Sequence, residues 1–277
     1  MERAIIGLAD WFTTPAGCYV LQWEQAHLDT AVSDLFGFHA LQLGLPELDA
    51  LRANRMPHRW VGTESPAGAS SADPGPAAPI RAAVALHCDF DALPFDANSL
   101  DLVVLPHALE LARDPHLALR EVERVLVPEG RVVIVGFNPS SLWGARQALG
   151  RLRRRLGLGG RRELFLPDAG DFLGYRRLRD WLRLLSFEVE AGRFGCYRPP
   201  LASPQWLSRF AWADRVGERW WPVFGAVYFV VAVKRVRGMR LVGLARAGRS
   251  ALQGAAAPAT LANNHQHNQQ NQPNEME

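Results

Sequence analysis

The chain has 277 residues, 48% of them hydrophobic and 21% charged, enough apolar mass for a packed core and too much for a globally disordered chain. Its three cysteines, Cys18, Cys88 and Cys196, form no CxxC or Cys/His ligand spacing. That excludes a zinc ribbon or a disulfide framework, makes the cysteines expected apolar fillers, and fits a reducing cytoplasm. Tyr19–Phe36 reads as the first helix, because Val20, Trp23, Glu24, His27, Leu28, Ala31, Val32 and Leu35 recur at helical spacing and Gly37 follows as a stop. His39–Leu43 and His58–Gly62 are short strand candidates. Pro66–Pro79 is Pro-, Ala-, Gly- and Ser-rich without an apolar face, and reads as a loop.

Ala82–Leu86, Asp101–Leu105 and Arg131–Gly136 are further strand candidates. The last two are continuous Val/Ile/Leu runs suited to parallel strands covered on both faces. Between them Asp114 and Pro115 open a helix that carries Ala118, Val122, Val125 and Leu126 on one face and ends at Pro128 and Gly130. Strand, helix and strand in this order form a right-handed crossover, the unit of an open α/β sheet. Farther on, Arg176–Leu185 reads as a helix, and Phe187–Glu190 and Ala226–Val233 as strands. Leu261–Glu277 is Asn-, Gln- and His-rich and reads as a disordered tail.

Charge divides the chain. Residues 1–138 carry a net −9 and residues 139–277 a net +12, within a total of +3. A basic second half suits an anionic partner, although Lys234 is the only lysine and the arginine excess is partly a bias of the whole sequence. Met1–Asp10 has no apolar h-region. The longest apolar stretch, Pro222–Val233, is far short of the roughly 20 residues that span a bilayer. A soluble, cytoplasmic or membrane-peripheral protein is expected.

The stretch His87–Asp101, HCDFDALPFDANSLD, is followed by LPHALELARDP and EVERVLVPEGRVVIVGFNP. It resembles the class I S-adenosylmethionine-dependent methyltransferases of the type 11 group. Asp89, Leu93–Pro94–Phe95, Asp101 and Arg124–Val125–Leu126 match that pattern, and Pro128–Glu129–Gly130 matches with Glu129 where a glycine is usual. The resemblance implies a Rossmann-like α/β fold: a mostly parallel seven-stranded sheet flanked by helices. It implies a methyltransferase-like domain over residues 1–238, with its core near 15–138 and 176–235, basic or aromatic inserts at 140–175 and 195–225, and a disordered tail over 239–277.

It also implies S-adenosylmethionine as cofactor and a set of residues around it. Asp89 would accept from the adenine amino group, with Phe90 packing on the ring and Leu105 lining the site. Glu64, after the second strand, would take the ribose hydroxyls. For Asp89 a turn-capping role stands beside this reading, and for Glu64 an ordinary surface position. In the first loop Gln42 stands where the family has an acid. Gly44 matches the first glycine, but Pro46 and Leu48 replace the later ones. Proline offers no N–H and cannot adopt a positive φ, and a Cβ crowds the approach of a ligand to backbone.

His107, just after the fourth strand, is the candidate catalytic base, with Glu110 behind it; a histidine packed against its own helix is the competing reading. No metal is implied. The acceptor is expected to be a small or lipophilic molecule held by the inserts after the fifth strand. There Leu142, Trp143, Leu149, Leu152 and Leu156 interleave with arginines that suit an anionic membrane surface. Ordinary packing with a solvated arginine face competes, and no nucleic-acid motif is present. A second reading keeps the fold without catalysis, as a methyltransferase-like binding protein with weakened cofactor binding. Gly44–Leu48 discriminates between the two. A nicotinamide-dependent oxidoreductase would need GxGxxG after the first strand, which is absent.

Overall fold

The computed structural model describes residues 7–64, 83–156, 165–167 and 172–236; the expected Pro66–Pro79 loop and the 239–277 tail lie outside them. Helix α1 (Leu8–Phe12) leads into α2 (Pro15–Ser33). The second helix begins four residues before the expected Tyr19, because Thr14 caps it: the Thr14 hydroxyl accepts from Gly17 N at 3.1 Å, and Pro15 takes the first helical position. A Cβ on Gly17 would lie 2.3 Å from the Trp11 carbonyl oxygen, so glycine is what lets α1 fold tightly onto α2.

Seven strands follow: β1 (His39–Leu43), β2 (His58–Thr63), β3 (Leu86–His87), β4 (Leu100–Pro106), β5 (Leu126–Phe137), β6 (Phe187–Gly195) and β7 (Val227–Lys234). They form one sheet in the order β3-β2-β1-β4-β5-β7-β6, with β7 antiparallel to both neighbours and the other pairs parallel. The expected mostly parallel seven-stranded α/β sheet is therefore the fold. The third strand is shorter and later than Ala82–Leu86, since Ala83, Val84 and Ala85 are exposed and only Leu86 and His87 pair with β2. Strand β6 instead runs on to Gly195, past the expected Glu190, by pairing along β7.

The helices cover both faces. On one, α2 packs Val20, Leu28 and Val32 against Val104 and Val133. On the other, α3 (Ala108–Leu111), α4 (Pro115–Val125) and α6 (Tyr175–Leu184) pack Leu119, Val122 and Leu178 against Val103 and Ile134. Asp114 caps α4 as expected, accepting from His116 N and Leu117 N. Beyond β5 come α5 (Leu142–Arg155) and, after β6, α7 (Pro204–Arg209), α8 (Trp212–Trp220) and a 3₁₀ turn at Pro222–Phe224. Of the cysteines only Cys196 is buried; Cys18 is exposed and Cys88 half-buried, so the filler reading holds for one of three.

Three ties fix the frame. Asp101 Oδ2 accepts from Phe38 N and His39 N at 2.8 and 2.9 Å, joining the start of β1 to β4. Arg124 donates to the Leu93 and Phe95 carbonyls while Glu121 accepts from Leu93 N, so α4 holds the segment before β4. Lys234 Nζ, buried at the end of β7, donates to the Glu123 and Leu126 carbonyls and to Asn98 Oδ1. The strand order reverses between β1 and β4, and in an open α/β sheet the ligand crevice lies beyond the carboxyl ends of the strands at that reversal.

Candidate functional site

At the reversal point the backbone is strained. Gly44 (φ 81°) ends β1, Leu45 follows at φ 33°, and His107 ends β4 at φ 54°. Left-handed conformations of non-glycine residues persist only where their surroundings over-determine them, and they concentrate at functional sites. Gly44 lies against the opposite strand end: a Cβ there would sit 3.4 Å from Ala108 Cβ and 3.5 Å from the Pro106 carbonyl oxygen.

Gln42 governs the loop that follows. It is fully buried, and its Nε2 donates to the carbonyls of Leu45 (3.0 Å) and Leu48 (2.6 Å), with a longer contact to Gly44 (3.4 Å); its Oε1 accepts from Ala50 N (2.9 Å). Both ends of the amide are spent on backbone, so Gln42 does not offer its side chain to a ligand, as its position in the sequence had implied. It is the clamp of the loop. Leu45 and Leu48 are buried beneath it. Proline and leucine are tolerated at Pro46 and Leu48 because this loop packs inward on its own side chains.

His107 also departs from expectation. Its ring is fully buried between two carboxylates, with Nε2 2.8 Å from Glu24 Oε1 and Nδ1 2.9 Å from Glu110 Oε2. Burial alone would lower its pKa. The two carboxylates and their hydrogen bonds more than offset this and push it up to about 10. At neutral pH the ring is an imidazolium whose two N–H groups both donate. With both ring nitrogens engaged inside the core, the ring is poorly placed to take a proton from a substrate. Glu110 further accepts from Phe137 N at 2.5 Å through Oε1. Burial raises Glu24, against the attraction of His107, and its Oε2 is buried without a partner among the described residues.

Glu24 was legible only as an acid inside the apolar stripe of α2. That is the sequence signal for a buried charge with a distant partner.

Beyond β2 and β3 the residues are acidic. Glu64 follows β2; Asp89 and Asp91 follow β3. Partial burial and then the like charges of Asp91 and Asp89 raise Glu64, with Arg113 opposing. Burial and then Asp114 raise Asp91, again against Arg113. Asp89 is exposed, whereas Asp91 keeps a buried Oδ1 with no partner among the described residues. Three carboxylates beyond the ends of two neighbouring strands, one with an orphan oxygen, suit hydroxyl or amino donors. Asp91 and Arg113 were not singled out from the sequence, though Asp91 is the second acid of the same CDFD run. Phe90 and Leu105, expected to touch the cofactor, are instead buried within the core of that face, with Leu41, Leu43 and Leu93.

A second concavity lies past the ends of β5 and β6. It is an apolar groove of about 510 Å³ between the start of α5 and the α7–α8 region, lined by Leu142, Ala145, Phe210, Trp212, Val216 and Trp221 among others. Because β6 runs in the same direction as β5, this groove opens at the same edge of the sheet as the carboxylates.

Residues 61–134 match the family described as "Methyltransferase domain". The Escherichia coli K12 protein YafS is 33% identical over 197 residues, 70% of this chain and 71% of that protein. The chain belongs to one family with YafS and carries a methyltransferase domain. A 60-residue stretch is 43% identical to the malonyl-[acyl-carrier protein] O-methyltransferase of Halorhodospira halophila, 22% of this chain and 20% of that enzyme. In structure this methyltransferase resembles a chain of the Haloferax volcanii complex between the Trm112 methyltransferase activator and a methyltransferase. The TM-score is 0.52 at 18% identity, over 84% of this chain and 100% of the other, a likeness of fold. The family match begins at the end of β2 and stops within β5. It takes in Glu64 and Asp89 and starts after the Gln42–Leu48 loop.

Proposed function

We propose that this methyltransferase binds S-adenosylmethionine across the β1–β4 reversal and transfers its methyl group to a small lipophilic acceptor held in the groove between α5 and α8. The grouping of Glu64, Asp89 and Asp91 beyond β2 and β3 carries the reading, because it suits the donors of adenosine. Glu64 accepts from the ribose hydroxyls. Asp89 accepts from the adenine amino group, and the orphan oxygen of Asp91 stands ready for a further donor. When bound, the cofactor supplies a methyl group on an electrophilic sulfonium. Gly44 brings backbone close to the methionine side, while the Gln42 clamp sets how far the loop can open. With both His107 ring nitrogens engaged by Glu24 and Glu110, the acceptor atom is one that attacks without first giving up a proton to the enzyme, as a free amine, carboxylate or thiolate does.

Calorimetric titration of the purified chain with S-adenosylmethionine tests the cofactor half. Saturable binding is expected, and no heat at millimolar ligand overturns it. For the acceptor half, Ala213 also lines the groove, and Ala213→Trp fills it. It should abolish transfer of labelled methyl into the organic-extractable fraction while cofactor affinity stays unchanged. Undiminished transfer would place the acceptor elsewhere.

A further inference from the structure

Helix α5 shows an unusual division of faces. At 100° per residue its buried side holds Trp143, Gly144 and Gln147. The opposite side carries Leu142, Ala145, Leu149, Leu152 and, at the cap, Leu156, spaced three and four residues apart in one stripe. The four leucines of that stripe are 63%, 47%, 51% and 62% exposed. An apolar seam that faces outward is the reverse of what a surface helix does, and an exposed patch of this kind marks a contact surface. The stripe does not stop at the helix. Leu142 and Ala145 line the groove together with Phe210, Trp212 and Trp221, and Trp206, Trp212, Trp220 and Trp221 are each at least half exposed.

The charge around this seam is predominantly positive. Helix α5 contains no acidic residue; Arg146 and Arg153 fall on one flank of the leucine stripe and Arg155 on the other. Helix α7 adds Arg209 and no acid. In α8, Asp214 is occupied by Arg198 and Tyr19, which leaves Glu218 against Arg215 and Arg219. A second copy of this chain would bring arginines against arginines along such a seam, which disfavours self-association through it. An anionic bilayer meets both demands at once. Leucine and tryptophan side chains enter the headgroup–acyl boundary, and flanking arginines reach lipid phosphates. No described helix is long and apolar enough to cross a membrane, so the contact is one of lying on the surface.

We infer that the α5 leucine stripe and the tryptophans of α7–α8 form a docking face for an anionic lipid bilayer, with α5 parallel to the membrane plane. The docking stands on this surface alone. Its use, to present the mouth of the groove to lipophilic molecules dissolved in the bilayer, rests on the reading of the groove as the acceptor site.

Co-sedimentation of the full chain with phosphatidylglycerol vesicles and with phosphatidylcholine vesicles tests it. Binding is expected on the anionic vesicles at low salt, and it should fall as salt rises. Arg153→Gln and Arg155→Gln should each weaken it about fivefold, the share of one arginine near an anionic surface. The double variant Leu149→Ser, Leu152→Ser should weaken it about tenfold or more. Circular dichroism checks that the variants stay folded, and both changes are at exposed positions. Equal sedimentation with both vesicle types, none with either, or full binding by the leucine and arginine variants overturns the assignment. Retention on RNA without retention on vesicles does so as well. Loss of vesicle binding with cofactor titration intact leaves the proposed reaction standing; the reverse result leaves the docking face standing.

Discussion

Glu24 Oε1 and His107 Nε2 lie 2.8 Å apart across 83 residues of sequence, both side chains fully buried. This contact joins the middle of α2 to the end of β4 and holds the strained His107 turn at the strand reversal. With Glu110 on the other ring nitrogen, the cluster sets the imidazole between two carboxylates at the β1–β4 reversal.

Removing Glu24 leaves the His107 charge balanced by Glu110 but strips its buried Nε2 of a hydrogen-bond partner, which costs about 1–3 kcal/mol. Glu24→Ala is expected to lower unfolding free energy by that order in urea denaturation. A loss below about 1 kcal/mol would show that the pair contributes nothing net to the fold.

The same cluster gives stability a pH dependence. The His107 pKa is raised from 6.5 to about 10 on folding, so the native state keeps a proton that the unfolded chain has released. Its stabilisation is complete below about pH 6.5 and is lost as pH rises toward 10. Melting temperature should therefore fall between pH 7 and pH 10, by roughly 2–4 °C for each kcal/mol lost. The fall should be visibly smaller in His107→Gln. Parallel curves for the two proteins would refute the linkage.

Restoring the family's acid in the first loop should harm this chain. Gln42→Glu turns the donor toward Leu45 and Leu48 into an acceptor and sets a buried carboxylate against two carbonyls. A cost of about 3 kcal/mol is expected from the lost and reversed hydrogen bonds. Unchanged stability with tighter cofactor binding would mean that the loop readily takes the family's path.

Asp89→Ala should weaken S-adenosylmethionine by more than about tenfold through loss of a charge-assisted hydrogen bond, while the melting temperature barely moves, since Asp89 is exposed. Equal affinity in calorimetry would remove the adenine pocket from this strand end.

Glu129 sits at φ 65° where the family has glycine. Its exposed ion pair with Arg235 is worth little, and a left-handed conformation costs a residue with a Cβ about 1 kcal/mol. Glu129→Gly is expected to stabilise by about 0.5–1 kcal/mol. Destabilisation in denaturant titration would show that the Arg235 contact outweighs the backbone.

The frame was legible in sequence because its signals are local. Val/Ile/Leu runs bounded by turns gave β4 and the second half of β5, and Asp114–Pro115 gave the start of α4; Leu126–Gly130, expected to close that helix, instead begin β5. The motif residues Leu93–Phe95 and Arg124 proved to hold each other, so a recognisable pattern marked a scaffold joint. The site was harder to read because its members meet only in three dimensions. Glu24 comes from a helix that precedes the sheet, and nothing near His107 in sequence announces it. Gln42 looked like a degraded ligand position; the four backbone groups it engages become visible only once the loop is folded. Phe90 and Leu105 are apolar residues beside a motif, and sequence does not distinguish a ring that faces a ligand from one that faces the core.

Lys234 is the chain's single lysine, and its ammonium is buried under the ends of α4 and β5. The only ε-amine is thus sealed where the end of β7 meets the start of β5. Amine-directed acylation of that residue becomes a one-site clock: it advances when β7 parts from β5, and it reads the opening of that seam without any probe being engineered into the protein.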